Sequence, residues 1–243
     1  MNSRSSLLSK LPRVGGGTLL WESKFGGNPY LPFGYEYPKD SQGNPLRLLA
    51  QINFEEVPDL GIFPLHGILQ FYISPKDDVF GLNFDKPTDQ ASFRVIYIPE
   101  VIKDYSKLMN DFSFVCNDDE YFPVGVEGGL EFKVEHAPVG TGDFRFEKLF
   151  NTASYNLFDD QQADWYEEHY SSAGHKMAGY AYFTQSDPRE NDYQDYDILL
   201  LQIDTDDELN IMWGDSGVAN FFIRPEDLKK LDFTKVLYNW DCC

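Results

Sequence analysis

Cysteine is scarce in this 243-residue sequence, which holds only Cys116, Cys242 and Cys243. An odd, sparse set does not read as a disulfide framework. Adjacent Cα atoms lie about 3.8 Å apart across a trans peptide, below the disulfide range that starts near 4.4 Å, so a Cys242–Cys243 bond would be strained. Free thiols fit a reducing compartment, and a cytoplasmic location is the expectation. Positive charge is scarce as well. Twenty Lys+Arg stand against 40 Asp+Glu, a formal charge of −20. Such a chain repels phosphates and has few cations with which to release counterions. Neither nucleic acid nor an anionic membrane surface is therefore an expected partner. Long apolar runs are missing too. The longest uncharged run, residues 60–75, has 16 residues and contains Pro64, His66, Gln70 and Ser74. A membrane-spanning helix wants about 20 apolar residues. No secretory signal is expected, because Lys10 and Arg13 break the N-terminal apolar stretch.

Catalytic and metal motifs are equally thin. The histidines His66, His136, His169 and His175 include no pair at i, i+4, and no Cys-x-x-Cys accompanies them. Glu167, Glu168, His169 and His175 would converge only through a turn that the spacing does not dictate. The run Asp204-Thr205-Asp206-Asp207-Glu208 alternates carboxylates as a calcium loop does. Leu209 and Asp215, however, stand where such a loop needs Gly and Glu. Cys116 precedes Asn117-Asp118-Asp119-Glu120, and Cys242 and Cys243 follow Asp241, so the local field opposes thiolate formation at all three. Gly15-Gly16-Gly17 lacks the Lys-Ser/Thr of a phosphate loop. The expectation is no metal, no cofactor, no catalytic residue and a function that leans away from enzymatic.

Aromatic residues, by contrast, are abundant: 20 Phe, 15 Tyr and 4 Trp make up 16% of the chain. An acidic disordered chain would have few, so a folded protein with a large core is expected. The sequence also repeats. Leu48-Leu49-Ala50-Gln51-Ile52-Asn53 matches Leu199-Leu200-Leu201-Gln202-Ile203-Asp204, and the strand-like block from Gly67 through Asp77 matches that from Gly217 through Asp227. Weaker blocks are Gly34-Tyr35-Glu36-Tyr37 against Gly179-Tyr180-Ala181-Tyr182, and Val95-Ile96-Tyr97 against Val236-Leu237-Tyr238. These predict one compact α+β, mainly β domain. It would be an internally duplicated β-rich unit with antiparallel sheets and a few short helices, the two copies covering about 23–103 and 174–243 and joined by 104–173. Within the joining segment, residues 159–170 open on acids and carry aromatics at helical spacing, the signature of a helix. Residues 130–135 alternate apolar and charged side chains, as a half-buried strand does.

The blocks Ser23-Lys24-Phe25-Gly26-Gly27-Asn28-Pro29-Tyr30-Leu31-Pro32, Gly174-His175-Lys176-Met177-Ala178-Gly179-Tyr180-Ala181-Tyr182-Phe183-Thr184-Gln185 and Met212-Trp213-Gly214-Asp215-Ser216-Gly217 resemble the YwqG-like proteins, a bacterial family of unassigned function. The resemblance runs from Ser23 to the C-terminus and implies a mainly β architecture with internal duplication. It brings no catalytic residue with it.

One ligand-binding cluster stands out. In the Trp213–Gly217 turn an aromatic, two glycines and Asp215 fall between two strands, where Trp213 and Asp215 could offer a stacking surface and an acceptor. The plainer alternative is a tight turn with Trp213 capping the core. Tyr180 and Gln202 would complete such a site. Gln51 and Gln202 are the repeated amides within apolar strands, and burial would require each to find backbone partners. The leading functional expectation is a non-enzymatic cytoplasmic binding or interaction protein whose acidic surface suits a basic protein partner. Two alternatives stand beside it: a small-ligand binder or enzyme using the Trp213–Asp215 turn, and a scaffold that self-associates through a strand edge.

Overall fold

The computed structural model describes residues 4–10, 17–115 and 122–243; Cys116 lies outside the described residues. The fold is mainly β with antiparallel sheets and a few short helices. The strands are β1 (Arg4–Lys10), β2 (Lys24–Phe25), β3 (Arg47–Asn53), β4 (Ile68–Ile73), β5 (Phe93–Ile98), β6 (Gly128–Ala137), β7 (Met177–Ala178), β8 (Ile198–Asp204), β9 (Val218–Ile223) and β10 (Leu237–Asp241). The helices are α1 (Arg145–Phe150), α2 (Ser154–Leu157), α3 (Asp160–His169) and α4 (Pro225–Lys229). Seven strands form a sheet in the order β5-β4-β3-β2-β6-β1-β7, and three more form β10-β9-β8. The two sheets meet where Lys176 and Gln202 exchange backbone hydrogen bonds of 3.1 and 2.7 Å. β1 lies between β6 and β7, with Leu7 opposite Val134 of β6 on one side and Met177 of β7 on the other.

Both halves repeat the same hydrogen bonds. Gln51 accepts from the Tyr30 amide at 2.8 Å and donates to the carbonyls of Leu20 and Glu22, each at 2.8 Å. Gln202 accepts from the Tyr182 amide at 2.7 Å and donates to the carbonyls of Ser172 and Gly174 at 2.9 and 2.7 Å. The Asn53 amide donates to Ser23, and the Asp204 amide donates to Nδ1 of His175. The register shift between Leu48 and Ala50 recurs between Leu199 and Leu201, at the same place relative to the glutamine. A glutamine in an apolar strand thus serves the backbone of the segment that crosses it. The left-handed turn that follows β2 also recurs: Gly26 and Gly27 have φ of +62° and +71°, and Ala178 and Gly179 have +58° and +73°.

These bonds correct the two weaker sequence alignments. The structural equivalent of Tyr182 is Tyr30, not Tyr37. Tyr238 stands opposite Phe221 as Val95 stands opposite Phe71. Tyr97, opposite Leu69, therefore corresponds to Trp240, opposite Ala219. Short aromatic blocks slid along the chain because their residue types recur at neighbouring strand positions.

β3, β4, β8 and β9 are buried on both faces, which is why they read as continuous apolar runs rather than alternating ones. On the inner face the halves pack against each other. Phe71 meets Phe221 at a ring separation of 4.9 Å, and Phe93 meets Tyr238 at 5.2 Å. The outer face of the first half carries Tyr30, Leu31, Leu48 and Tyr72 under the loop segments, and that of the second carries Phe183, Leu199, Phe222 and Leu237. The outer edge of β10 is covered by the first half: the Tyr238 amide donates to Pro87 O at 2.9 Å and the Trp240 indole to Val79 O at 2.8 Å. Such cover reduces the hazard of edge-to-edge pairing.

Candidate functional site

Four of the five residues singled out in the sequence belong to the protein's own interior. Trp213 is wholly buried, with its ring edge-on to Phe80 at 5.5 Å, and its indole nitrogen has no hydrogen-bond partner. Asp215 is exposed, so the pair offers no shared stacking surface to a ligand. The glycines of that turn answer to packing. A Cβ on Gly217 would sit 2.0 Å from Asp241 O, and one on Gly214 would sit 2.6 Å from the Cys242 sulfur. Gln51 and Gln202 are buried and occupied by backbone groups, with the Gln70 amide also donating to Gln51. Tyr180 is buried against Val139, Phe146 and Tyr166, and the Arg145 guanidinium lies 4.7 Å from its ring centre. Tyr180 therefore forms the floor under the helices between the two halves.

The lock that holds the start of α1 is ionic. Asp143 and Asp187 each accept from the backbone amide of the arginine two residues on, Arg145 and Arg189. Each also takes that arginine's Nε and Nη2 in a two-pronged pair, at 2.7 and 2.5 Å for Asp143 and 2.8 and 2.7 Å for Asp187. Arg189 Nη2 reaches Asp143 at 3.3 Å, joining the pairs, and Arg145 Nη1 reaches Asp197 at 3.0 Å. The Phe144 amide donates to Asp187, which fastens the start of α1 to the second half. Burial pushes the Asp143 carboxyl up, but the hydrogen bonds and charges of Arg145 and Arg189 outweigh it and hold it below the usual carboxylate range. The Asp-x-Arg spacing at 143–145 and 187–189 was a legible signal for this lock, and reading outward from the repeat blocks missed it.

Two buried lysines mark the seams beside the central strands. Lys24 donates to Leu19 O at 3.2 Å, and Lys176, its counterpart in the second half, donates to Ser172 O. Burial lowers both ammonium groups to about 8, against the opposing pull of Glu127, Glu22 and Glu56 on Lys24 and of Asp204, Asp143 and Glu135 on Lys176. The histidines of the sequence cluster do not converge. His169 stacks on Trp165 at 4.3 Å, and His175 pairs through Nε2 with Asp206 at 3.0 Å. Among the described residues no group of three His, Cys, Asp or Glu side chains could hold a metal ion. No helix among them is long and apolar enough to cross a membrane.

The surface that stands out lies on α3 and the ends of α1 and α2. α3 begins on Asp159, whose carboxylate accepts from the Gln162 amide while the Gln162 side chain accepts from Asp159 N, a reciprocal cap that fixes the helix start. Tyr166 turns inward, where its hydroxyl donates to Val139 O at 2.8 Å. Trp165 points outward and is 50% exposed. Between α3 and the ends of α1 and α2 runs a groove of about 730 Å³ with Phe150, Leu157, Phe158 and Trp165 along it and Gln161 and Gln162 at its rim. Leu149, Phe150, Tyr155, Leu157 and Trp165 are five of the seventeen large apolar side chains that the described chain exposes. These five fall within residues 149–165, so the exposure is concentrated in sequence rather than scattered. Residues 144–170 hold two basic and six acidic side chains, a net charge of −4, so the apolar groove has an acidic frame.

Residues 23–242 match the family model described as a domain of unknown function (DUF1963), a span that takes in both halves and the helices between them. No curated protein matches the chain.

Proposed function

For a chain that belongs to the DUF1963 family, we propose a binding role: a partner protein with a basic surface docks on the helices between the two halves. The resemblance of the blocks that begin at Ser23, Gly174 and Met212 supports a placement among the YwqG-like proteins, with which the matched span is consistent. The doubled hydrogen bonds of Gln51 and Gln202 support reading residues 23–103 and 174–243 as two copies of one unit within a single domain. In that reading the copies make a rigid body and the insert carries the contact surface.

The observation that carries the role is the groove beneath Trp165, apolar along its length and acidic in its surroundings. A fold that exposes none of the aromatics of its strands leaves Trp165 half exposed and Tyr155 81% exposed on the segment between the halves. Apolar anchors there would supply most of the binding energy, while the acidic frame would steer a cationic partner and reject an anionic one. The test is capture from a native extract with immobilised wild type and with Trp165→Ser, at low and at high salt. The expected result is a partner held by wild type, weakened as salt rises and lost with Trp165→Ser. Equal capture by the two proteins contradicts the role.

A further inference from the structure

We infer that the seam between β7 and β8, separate from the groove on α3, is a binding site for the amino-terminal end of a peptide, with apolar walls around its first side chains and Asp197 facing its amine. The two halves differ at this seam. In the first half, β2 and β3 pair at Lys24–Gln51 and go on to Phe25–Ala50, and the Gly26 amide closes the seam on Leu49 O at 3.0 Å. In the second half the counterpart pairing is the single bridge of Lys176 and Gln202. Met177 and Leu201, which stand where Phe25 and Ala50 stand, are not paired with each other, so the two sheets part there. Past that point lies a cavity of about 390 Å³, with Ala178 and Gly179 on one side and Ile198 and Leu199 on the other. Leu60 and Ile62 of the first half and Pro225 at the start of α4 complete its walls. The same seam is zipped in one copy and opens into a cavity in the other.

The lining selects the ligand. β8 is paired with β9 from Ile198 to Asp204, and its bridge toward β7 is at Gln202, so between Ile198 and Leu201 the edge on that side meets no neighbouring strand among the described residues. An extended peptide bonds to such an edge through its main chain and places alternate side chains in pockets. Leu60, Ile62, Leu199 and Pro225 give a branched aliphatic side chain its apolar walls. The volume is at the low end of small-ligand sites, which suits the end of a chain rather than a continuous segment. Charge decides which end. Asp197 is the charged residue of the lining, and its side chain stays 35% exposed while Arg145 holds it at 3.0 Å. The cations at hand are engaged: Arg145 also pairs with Asp143, and Arg224, next to Pro225, pairs with Asp195, Glu226 and Asp227. A peptide carboxylate would therefore meet Asp197 with both of these cations already taken, whereas an amine gains a charge-assisted hydrogen bond to it.

Amide NMR titration of the full chain with four ligands tests the site. They are leucyl-leucinamide, its N-acetyl form, N-acetyl-leucyl-leucine with a free carboxylate, and isoamylamine, which has an amine and a branched chain but no peptide group. The inference predicts that leucyl-leucinamide shifts the amides of Ala178, Gly179, Ile198 and Leu199. Their first-half counterparts, Gly26, Gly27, Arg47 and Leu48, should not move. Each of the other three ligands should bind at least about tenfold more weakly, since each lacks either the amine that meets Asp197 or the main-chain groups that meet β8. Ile62→Arg, at a loop side chain already 43% exposed, should block the cavity and weaken leucyl-leucinamide by a similar factor while leaving the first-half amides in place. Absence of shifts at the β7–β8 seam, equal shifts at the β2–β3 seam, or binding that survives Ile62→Arg overturns the inference. Equally tight binding of either acetylated ligand overturns the role of the amine, and equally tight binding of isoamylamine overturns the role of the strand edge.

Discussion

Replacing Lys24 by Met removes a buried ammonium whose pKa burial has lowered from 10.5 to about 8. A lysine of this kind opposes folding at neutral pH, where both states carry the charge and only the folded state pays to desolvate it. The cost is the shift of about 2.5 units at about 1.36 kcal/mol each, roughly 3 kcal/mol. Between pH 8 and 10.5 the folded lysine is neutral while the unfolded one still binds a proton. The unfolded state therefore holds more protons, and stability rises with pH. From near pH 7 to about pH 9.5 the wild type should gain about 2 kcal/mol from this residue by the same linkage. Tyrosines such as Tyr72 and Tyr238, raised well above 10 by burial, pull the other way as pH climbs, but they are common to both proteins and cancel in the comparison. Urea unfolding of wild type and Lys24→Met at the two pH values gives the difference directly. The loss of the bond to Leu19 O shifts the variant by a similar amount at both. A stability gap between the two proteins that stays constant within about 0.5 kcal/mol would refute the buried-lysine reasoning.

Asp143→Asn should cost about 3–5 kcal/mol, because Arg145 and Arg189 share that carboxylate and would be left short of negative charge in the interior. The folded carboxyl is held below its unfolded value, so its contribution is present at neutral pH and fades as pH falls through the folded value. Wild type and variant should thus converge in acid, as unfolding curves at several pH values would show. Gln51→Leu and Gln202→Leu should each cost about 2–4 kcal/mol by the same assay, since each strands an amide and two carbonyls. The Gln51 variant should fall further, because Gln70 also donates to it at 2.8 Å.

Much of the fold was legible in the residues, and the site was not. Buried strands announce themselves as apolar runs, and the two glutamines inside them marked equivalent positions correctly, because a buried amide has few ways to be satisfied. The helix over 159–170 was legible from its acidic start and aromatic spacing, and the structure forms it as Asp160–His169. The residues 130–135 strand appears within β6. The Trp213 turn drew attention because glycine beside tryptophan and aspartate suits a ligand as well as it suits packing. Only the approach of Gly217 to Asp241 and of Gly214 to Cys242 separates the two. The groove could not be read in advance, because it forms where α3 meets the ends of α1 and α2, a tertiary arrangement that helical spacing does not give. The lock joins residues 143–145 to 187–197; the doubled Asp-x-Arg spacing marks its two ends but not that they meet.

The claim that the insert is the docking surface is tested most directly by hydrogen exchange on the protein with and without its captured partner. The account predicts added protection concentrated in residues 145–170, strongest along α3, with the strands of both halves unchanged. Protection confined to the strands or their loops, with α3 exchanging as it does alone, would contradict it.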